Sequence, residues 1–512
     1  MRSLSETAAG RTGQRPFTAV PPVRPSHLVL VSDRGPVRFT RRSSQFVCER
    51  QSSSVTALLD RLAGASPAQV TWVSPSNSAA DAQAMQAGLF AKLGHKLGYT
   101  PDVVLVGKRD HEQYYYDAGV NIIWSAWHGI EDQTPPHWNR DDPLASLTAY
   151  ARVNRQLSLR ASQVAAQDAV VAVQDYQLLL APAMIRELRP DLRIVHFSHT
   201  PFPDSDSSAK LPSPVLKTLV AGMLGADVLG FQSPRWAERF MRCCRQLGLH
   251  ADSSRGEVRY GQRIVWVRCY PVAVDIPSLL RRSRSAEARR WAEITRAEDR
   301  RMRIVRVDRL DPAKNALRGF QAYSLLQQRH PSLAQEVRFV ACLVPSRERL
   351  PDYQRYAKDV WQIVDDVNRR YPRSITTHYG NNPGRALGIM RDADVLLVNS
   401  VADGMNLVAQ EGPIVNTKDG AVVLSRGTGA ADLLPDAVIV ERPTDLAATA
   451  DALMLALRLS PLERHDRAKQ MRGAISNLNP ASWLERQLAD ALAVPISSAL
   501  SSSSSAEPTG PL

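Results

Sequence analysis

At 512 residues, 44% apolar and 22% charged, the chain is too long for one hydrophobic core and too apolar to be disordered, so two globular domains of about 200–250 residues are expected. No apolar run reaches the roughly 18 residues of a membrane helix, no signal-peptide pattern follows the basic start, and the cysteines Cys48, Cys243, Cys244, Cys269 and Cys342 show no C-x-x-C spacing; this argues against a membrane protein, a disulfide scaffold and a zinc site, and predicts a cytoplasmic protein with reduced thiols. The formal charge of +13 comes from arginines spread along the chain rather than from one helical stripe, which points away from nucleic acid and toward phosphate-bearing small substrates.

Residues 1–25 carry no apolar periodicity and read as a disordered tail, as do residues 497–512 with their run of serines. Between them, short β-branched runs alternate with longer helical patterns. Strands are expected at His27–Val31, Gln69–Val73, Val103–Val106, Ala169–Val173, Arg193–Phe197 and Val228–Phe231, forming an N-terminal Rossmann-like domain over residues 26–274. The charged stretch from Arg281 to Arg303 reads as a surface helix leading into a second series: Arg303–Val307, Val337–Leu343, Val395–Val398 and Ala421–Leu424. These form a C-terminal Rossmann-like domain over residues 275–480, and a last helical pattern in residues 481–496 suits packing back on the first domain. The fold class is α/β, with two doubly wound parallel sheets facing a central cleft and ligand-binding loops at the C-terminal strand ends. A homo-oligomer is compatible with the sequence, which does not specify one.

The chemically distinctive residues fall in those loops. After Arg303–Val307, Arg309 and Lys314 stand five residues apart; a planar fork and a compact charge suit a diphosphate, although taken alone the segment better suits a solvated basic turn. After Val395–Val398 comes Asp403-Gly404-Met405-Asn406-Leu407-Val408, a glycine turn opening a helix whose free N–H groups suit phosphate or sugar hydroxyls. Glu411, further along, suits a ribose diol; the alternative is an ordinary cap at Asp403 and a solvated Glu411. Gly427-Thr428-Gly429 is a weak phosphate-loop signal. In the first domain, Asp175 and His199 close two strands and suit either sugar hydroxyls or a structural role. No spaced Ser/His/Asp or Cys/His set and no H-E-x-x-H occurs, which weighs against hydrolases and metalloproteases.

Val31-Ser32-Asp33-Arg34-Gly35-Pro36, Asp175-Tyr176-Gln177, His199-Thr200-Pro201-Phe202-Pro203, Gly230-Phe231-Gln232, Asp308-Arg309-Leu310-Asp311 with Lys314, and Asp403 to Ala409 occur in that order. In this the chain resembles the trehalose-6-phosphate synthases, retaining glycosyltransferases of the GT-B fold, from about Leu28 to about Leu492. The resemblance implies transfer from a UDP- or GDP-linked sugar to a sugar phosphate, without metal or cofactor. It places Arg309 and Lys314 on the donor diphosphate, Leu407, Val408 and Glu411 at the nucleoside end, and Asp403, Gly404, Met405 and Asn406 at the donor sugar. Arg34, Tyr115, Trp124, Asp175 and Arg347 fall at acceptor positions, and His199 near the reacting centre.

The chain departs from the family around the donor. Gln51-Ser52-Ser53-Ser54 stands where a Gly-Gly loop is usual, and Gln174, Ala402 and Gln410 replace a histidine, an arginine and a lysine. Besides trehalose 6-phosphate synthesis, this leaves open a specialised relative using an unusual or cyclitol donor, like the family's pseudo-glycosyltransferases, and a non-catalytic sugar-phosphate sensor.

Overall fold

The computed structural model describes residues 24–494 except 44, 52, 53, 131–142, 205 and 207–209; all but residues 24 and 25 of the predicted N-terminal tail, the whole predicted C-terminal tail and Ser52–Ser53 of the altered loop lie outside the described residues. Among the described residues, eleven strands precede the domain crossover: β1 (His27–Val31), β2 (Val37–Arg42), β3 (Gln45–Arg50), β4 (Gln69–Ser76), β5 (Thr100–Leu105), β6 (Val170–Gln174), β7 (Arg193–Ser198), β8 (Val228–Phe231), β9 (His250–Asp252), β10 (Glu257–Tyr260) and β11 (Arg263–Cys269). Nine of these form one sheet in the order β5-β4-β1-β6-β7-β8-β11-β10-β9, while β2 and β3 pair as a separate hairpin. Its central strands are buried along their length, as in a parallel sheet covered by helices on both faces.

The second sheet comprises β12 (Met302–Arg309), β13 (Val337–Val344), β14 (Ile375–Tyr379), β15 (Val395–Val398), β16 (Ala421–Ser425) and β17 (Val438–Val440), ordered β14-β13-β12-β15-β16-β17. All its pairings are parallel. The α/β class with two doubly wound sheets is therefore the observed one. The strand order reverses between β1 and β6 in the first sheet and between β12 and β15 in the second, and such switch points are where open α/β sheets bind ligands.

Several elements differ from the sequence expectation. The antiparallel β9–β11 run and the β2–β3 hairpin are additions. Edge strand β14 buries only its first residue fully, so it lacks the apolar run of an interior strand. At the crossover, Gln410 joins the domains: its amide donates to the Val272 carbonyl (2.9 Å) and accepts from the Val274 N–H (3.2 Å). The helix Pro480–Ala493 lies against the first sheet, with Trp483 edge-on to Phe197 at 4.8 Å. Among the described residues, no helix is long and apolar enough to cross a membrane.

Candidate active site between the two sheets

At the second sheet's switch point, β12 delivers Arg309 to the cleft and a short turn, Pro312–Lys314, follows. Asp311 caps that turn by accepting from the Ala313 N–H (3.1 Å). Lys314 reaches across to form an ion pair with Asp403, which also accepts from the Asn406 amide (3.1 Å). Burial opposes ionisation of Asp403, yet Lys314, aided by His128 and Arg309, holds its carboxyl below the ordinary range. Asn406, at φ +70°, accepts from the Ala409 N–H (3.3 Å) and so caps the helix Leu407–Val415.

Within this turn, Gly404 has the Trp236 indole donating to its carbonyl (2.8 Å), and a Cβ there would collide with the His199 carbonyl oxygen. Only glycine allows the two domains to approach this closely. Met405 is buried and its carbonyl accepts from the Ala430 N–H (2.9 Å). Leu407 packs against the cores of both domains, and Val408 against that of the second. One turn on, burial pushes the Glu411 carboxyl up to about 7, with Arg282 offsetting part of the rise.

The first sheet brings up an aromatic and cationic cluster. Arg34 donates to the Tyr115 hydroxyl (2.8 Å) and lies 5.8 Å from its ring centre, while Tyr114 donates to Asp33 (2.9 Å). Tyr115 and Trp124 both belong to a π-helix, Gln113–Trp124, in which the N–H of the following Ser125 reaches back five residues to Val120. The wider turn makes their nine-residue spacing about two turns, so both project on one side; an α-helix would set them on opposite faces. Trp124 then stacks on His128 at 3.7 Å, whose imidazole burial holds down to about 4 and therefore neutral.

Arginines from the other domain meet on this tryptophan. The Arg347 guanidinium lies 4.2 Å and that of Arg309 5.5 Å from the Trp124 ring centre, and both pair with the fully buried Asp311, at 2.8 and 3.4 Å. Burial would raise the Asp311 carboxyl, but Arg347 and then Arg309 bring it below the ordinary range. Arg347 also donates to the Tyr353 hydroxyl (2.6 Å), and its φ of +47° is a strained backbone setting for a side chain of this size. The residues predicted separately for donor and acceptor thus converge on one ring.

Asp175 and His199 lie beside this cluster with most of their polar groups engaged. Asp175, at φ +70°, accepts from the His199 N–H (3.1 Å) and the Thr200 hydroxyl (3.3 Å), and burial raises its carboxyl to about 6. The His199 ring pairs with the Gln174 amide (3.0 Å) and tilts against Trp483 at 5.7 Å; burial and then His196 push it down to about 3. Its carbonyl, rather than its ring, meets Gly404.

Residues 26–493 match the glycosyltransferase family 20 model. The chain is 35% identical over 404 residues to a trehalose-6-phosphate synthase of Mycobacterium avium, covering 75% of this chain and 79% of that one. This chain belongs to glycosyltransferase family 20. Its fold matches the N-terminal domain of a Candida albicans trehalose-6-phosphate phosphatase (TM-score 0.80, 22% identity, 93% of this chain and 98% of that one). It also matches a UDP-forming trehalose-phosphate synthase of Burkholderia xenovorans solved with glucose-6-phosphate (TM-score 0.77, 23% identity, 91% of this chain and 100% of that one).

Seen as a glycosyltransferase, the chain gives two of its altered donor residues structural work. Gln410 is fully buried and spent on the crossover at Val272 and Val274, and Gln174 carries the His199 ring. Sequence reasoning missed His128, Tyr353 and Trp236. The first stands four residues after Trp124, the spacing of a helical pair; the other two carry no local signal.

Proposed function

We propose that this glycosyltransferase moves glucose from UDP- or GDP-glucose to glucose 6-phosphate with retention of configuration, forming α,α-trehalose 6-phosphate. The observation that carries the reading is the convergence of Arg309 and Arg347 on Trp124 around the shared carboxylate of Asp311. Two anionic groups, a leaving diphosphate and an acceptor phosphate, require cations that close together. Arg309 and Lys314 stabilise the charge growing on the diphosphate as the bond from the anomeric carbon to its oxygen breaks. Arg347, Arg34 and Tyr115 hold the acceptor phosphate, Trp124 and Asp175 border its sugar, and Asp403 to Asn406 face the donor glucose. The acceptor hydroxyl attacks from the face the diphosphate leaves, and its proton passes to the departing phosphate oxygen. Leu407, Val408 and Glu411 hold the nucleoside end, and the His199 segment bounds the reacting centre. Positioning supplies the catalysis, so no nucleophile from the chain is needed.

A second reading, a relative with an unusual or cyclitol donor, is favoured by one observation: Gln410 carries no charge and spends both ends of its amide on the crossover. Incubating the purified chain with glucose 6-phosphate and UDP-glucose, GDP-glucose or nucleotide-linked cyclitols separates the readings. Diphosphate release with trehalose 6-phosphate as product is expected. Release only with an unusual donor selects the second reading, and sugar-phosphate binding without release under any donor defeats both. Arg309→Ala should slow turnover at least about tenfold, on the order of 1.4 kcal/mol of barrier.

A further inference from the structure

Arg306 is an anomaly in its strand. β12 is the central strand of the second sheet, and position 306 lies opposite Ala341 of β13, yet the Arg306 side chain is 0% exposed. A buried guanidinium is unfavourable unless its donors are met. One terminal nitrogen donates to the Asn399 side-chain oxygen (2.6 Å); the other donates to the Lys314 carbonyl and lies 3.1 Å from the Asp308 carboxylate. Space for the group comes from the facing helix Ala316–Arg329: a Cβ on Gly319 would stand 2.5 Å from the guanidinium.

The two acceptors and the paired carboxylate belong to three segments. Asp308 is the penultimate residue of β12, Lys314 ends the turn after it, and Asn399 opens the loop leading to Asp403. Both sides of the Lys314–Asp403 ion pair, 89 residues apart in sequence, therefore hang from one side chain beneath the cleft. Asn315, at φ +61°, reinforces the join by donating to the Asn399 carbonyl (2.9 Å), as does the Val401 N–H on the Ala313 carbonyl (2.9 Å).

We propose that Arg306 is a positioning residue for the donor diphosphate: without touching substrate, it sets the spacing between Lys314 and the Asp403–Asn406 turn. This rests on the donor-site reading above. A fixed spacing matters because a group aligned for the departing phosphate loses much of its effect when displaced by an ångström.

The test is titration of the whole chain with UDP and with GDP alone, followed by steady-state kinetics with the best donor. Arg306→Met combined with Asp308→Asn removes the charge without stranding a carboxylate. Weaker nucleotide binding by about tenfold or more is expected, with the donor KM raised, kcat lowered and the glucose 6-phosphate KM within about twofold of the parent. Gly319→Ala is the second variant. Alanine favours a helix interior over glycine, so weaker nucleotide binding there, at undiminished thermal stability, comes through the displaced guanidinium. Loss of thermal stability in either variant, with nucleotide affinity and donor KM unchanged, would reduce Arg306 to a packing residue and overturn the proposal. If the double variant does not fold, Gly319→Ala decides by the same readout. Absence of nucleotide binding by the parent chain itself would overturn the donor-site reading and this role together, whereas binding that the variants retain overturns the role alone.

Discussion

On the C-terminal sheet, the cations at the cleft already have carboxylates: Lys314 has Asp403, both 15% exposed, and Arg309 and Arg347 share Asp311. On the N-terminal sheet, Arg34 has a phenol as its hydrogen-bond partner, lies 4.0 Å from Asp33 and leaves 53% of its side chain exposed. The matched cations are fixed before substrate arrives, at the expense of part of their field. The more loosely matched one keeps more of its field and its freedom, and must be ordered by the ligand. The two halves should therefore fail differently: damage on the C-terminal side reaches the fold as well as binding, and damage at Arg34 reaches binding alone.

Lys314→Ala should have the largest effect. It strands Asp403 in a buried setting, and removing one partner of such a pair costs about 3–5 kcal/mol. The urea midpoint should fall together with nucleotide affinity. Restoring neutrality with Lys314→Ala and Asp403→Asn together should recover most of the stability and little of the affinity. A midpoint unmoved by the single variant would break the comparison, because Asp403 would then be hydrated rather than matched.

Arg34→Ala should leave the unfolding free energy within about 0.5 kcal/mol of the parent's, as expected for an exposed side chain. The glucose 6-phosphate KM should rise several-fold with kcat and donor KM little changed. That increase should shrink as salt is raised, since an exposed charge is screened over about 10 Å at 0.1 M. A large loss of stability in this variant would show that Asp33 depends on Arg34 as closely as Asp403 depends on Lys314.

The contrast between the two sides also separates what was legible in the sequence from what was not. Arg309, Lys314 and the turn from Asp403 to Asn406 stand at the ends of apolar runs, where strand pattern and turn chemistry are read from neighbouring residues. That Arg309 and Arg347 share Asp311 and Trp124 depends on two sheets and a π-helix meeting, and no window of sequence contains it. Arg306 was invisible for a related reason. A cation within a strand reads as the solvent side of an alternation, and only the absent side chain at Gly319, on another element, makes room for it inside. The β9–β11 run and β14 escaped notice because partly exposed strands lose the unbroken apolar pattern of fully buried ones.

Glu411 is the exception on the C-terminal side, and the smallest effect is expected there. Burial raises its carboxyl from an ordinary 4.5 to about 7, and Arg282 offsets only part of the rise. Because the folded-state value is the higher one, the fold prefers the protonated acid. The group's contribution to stability is complete below about pH 4.5 and is lost as pH rises through about 7. Glu411→Gln imitates the neutral acid at every pH. Its urea midpoint, relative to the parent's, should therefore rise progressively from about pH 4.5 to about 7 and level off above. A difference already constant at about pH 5 would mean that this carboxylate ionises as easily as a solvated one. Glu411 would then rejoin the compensated charges of its side of the cleft, and Arg282 would have to be counted as its full partner.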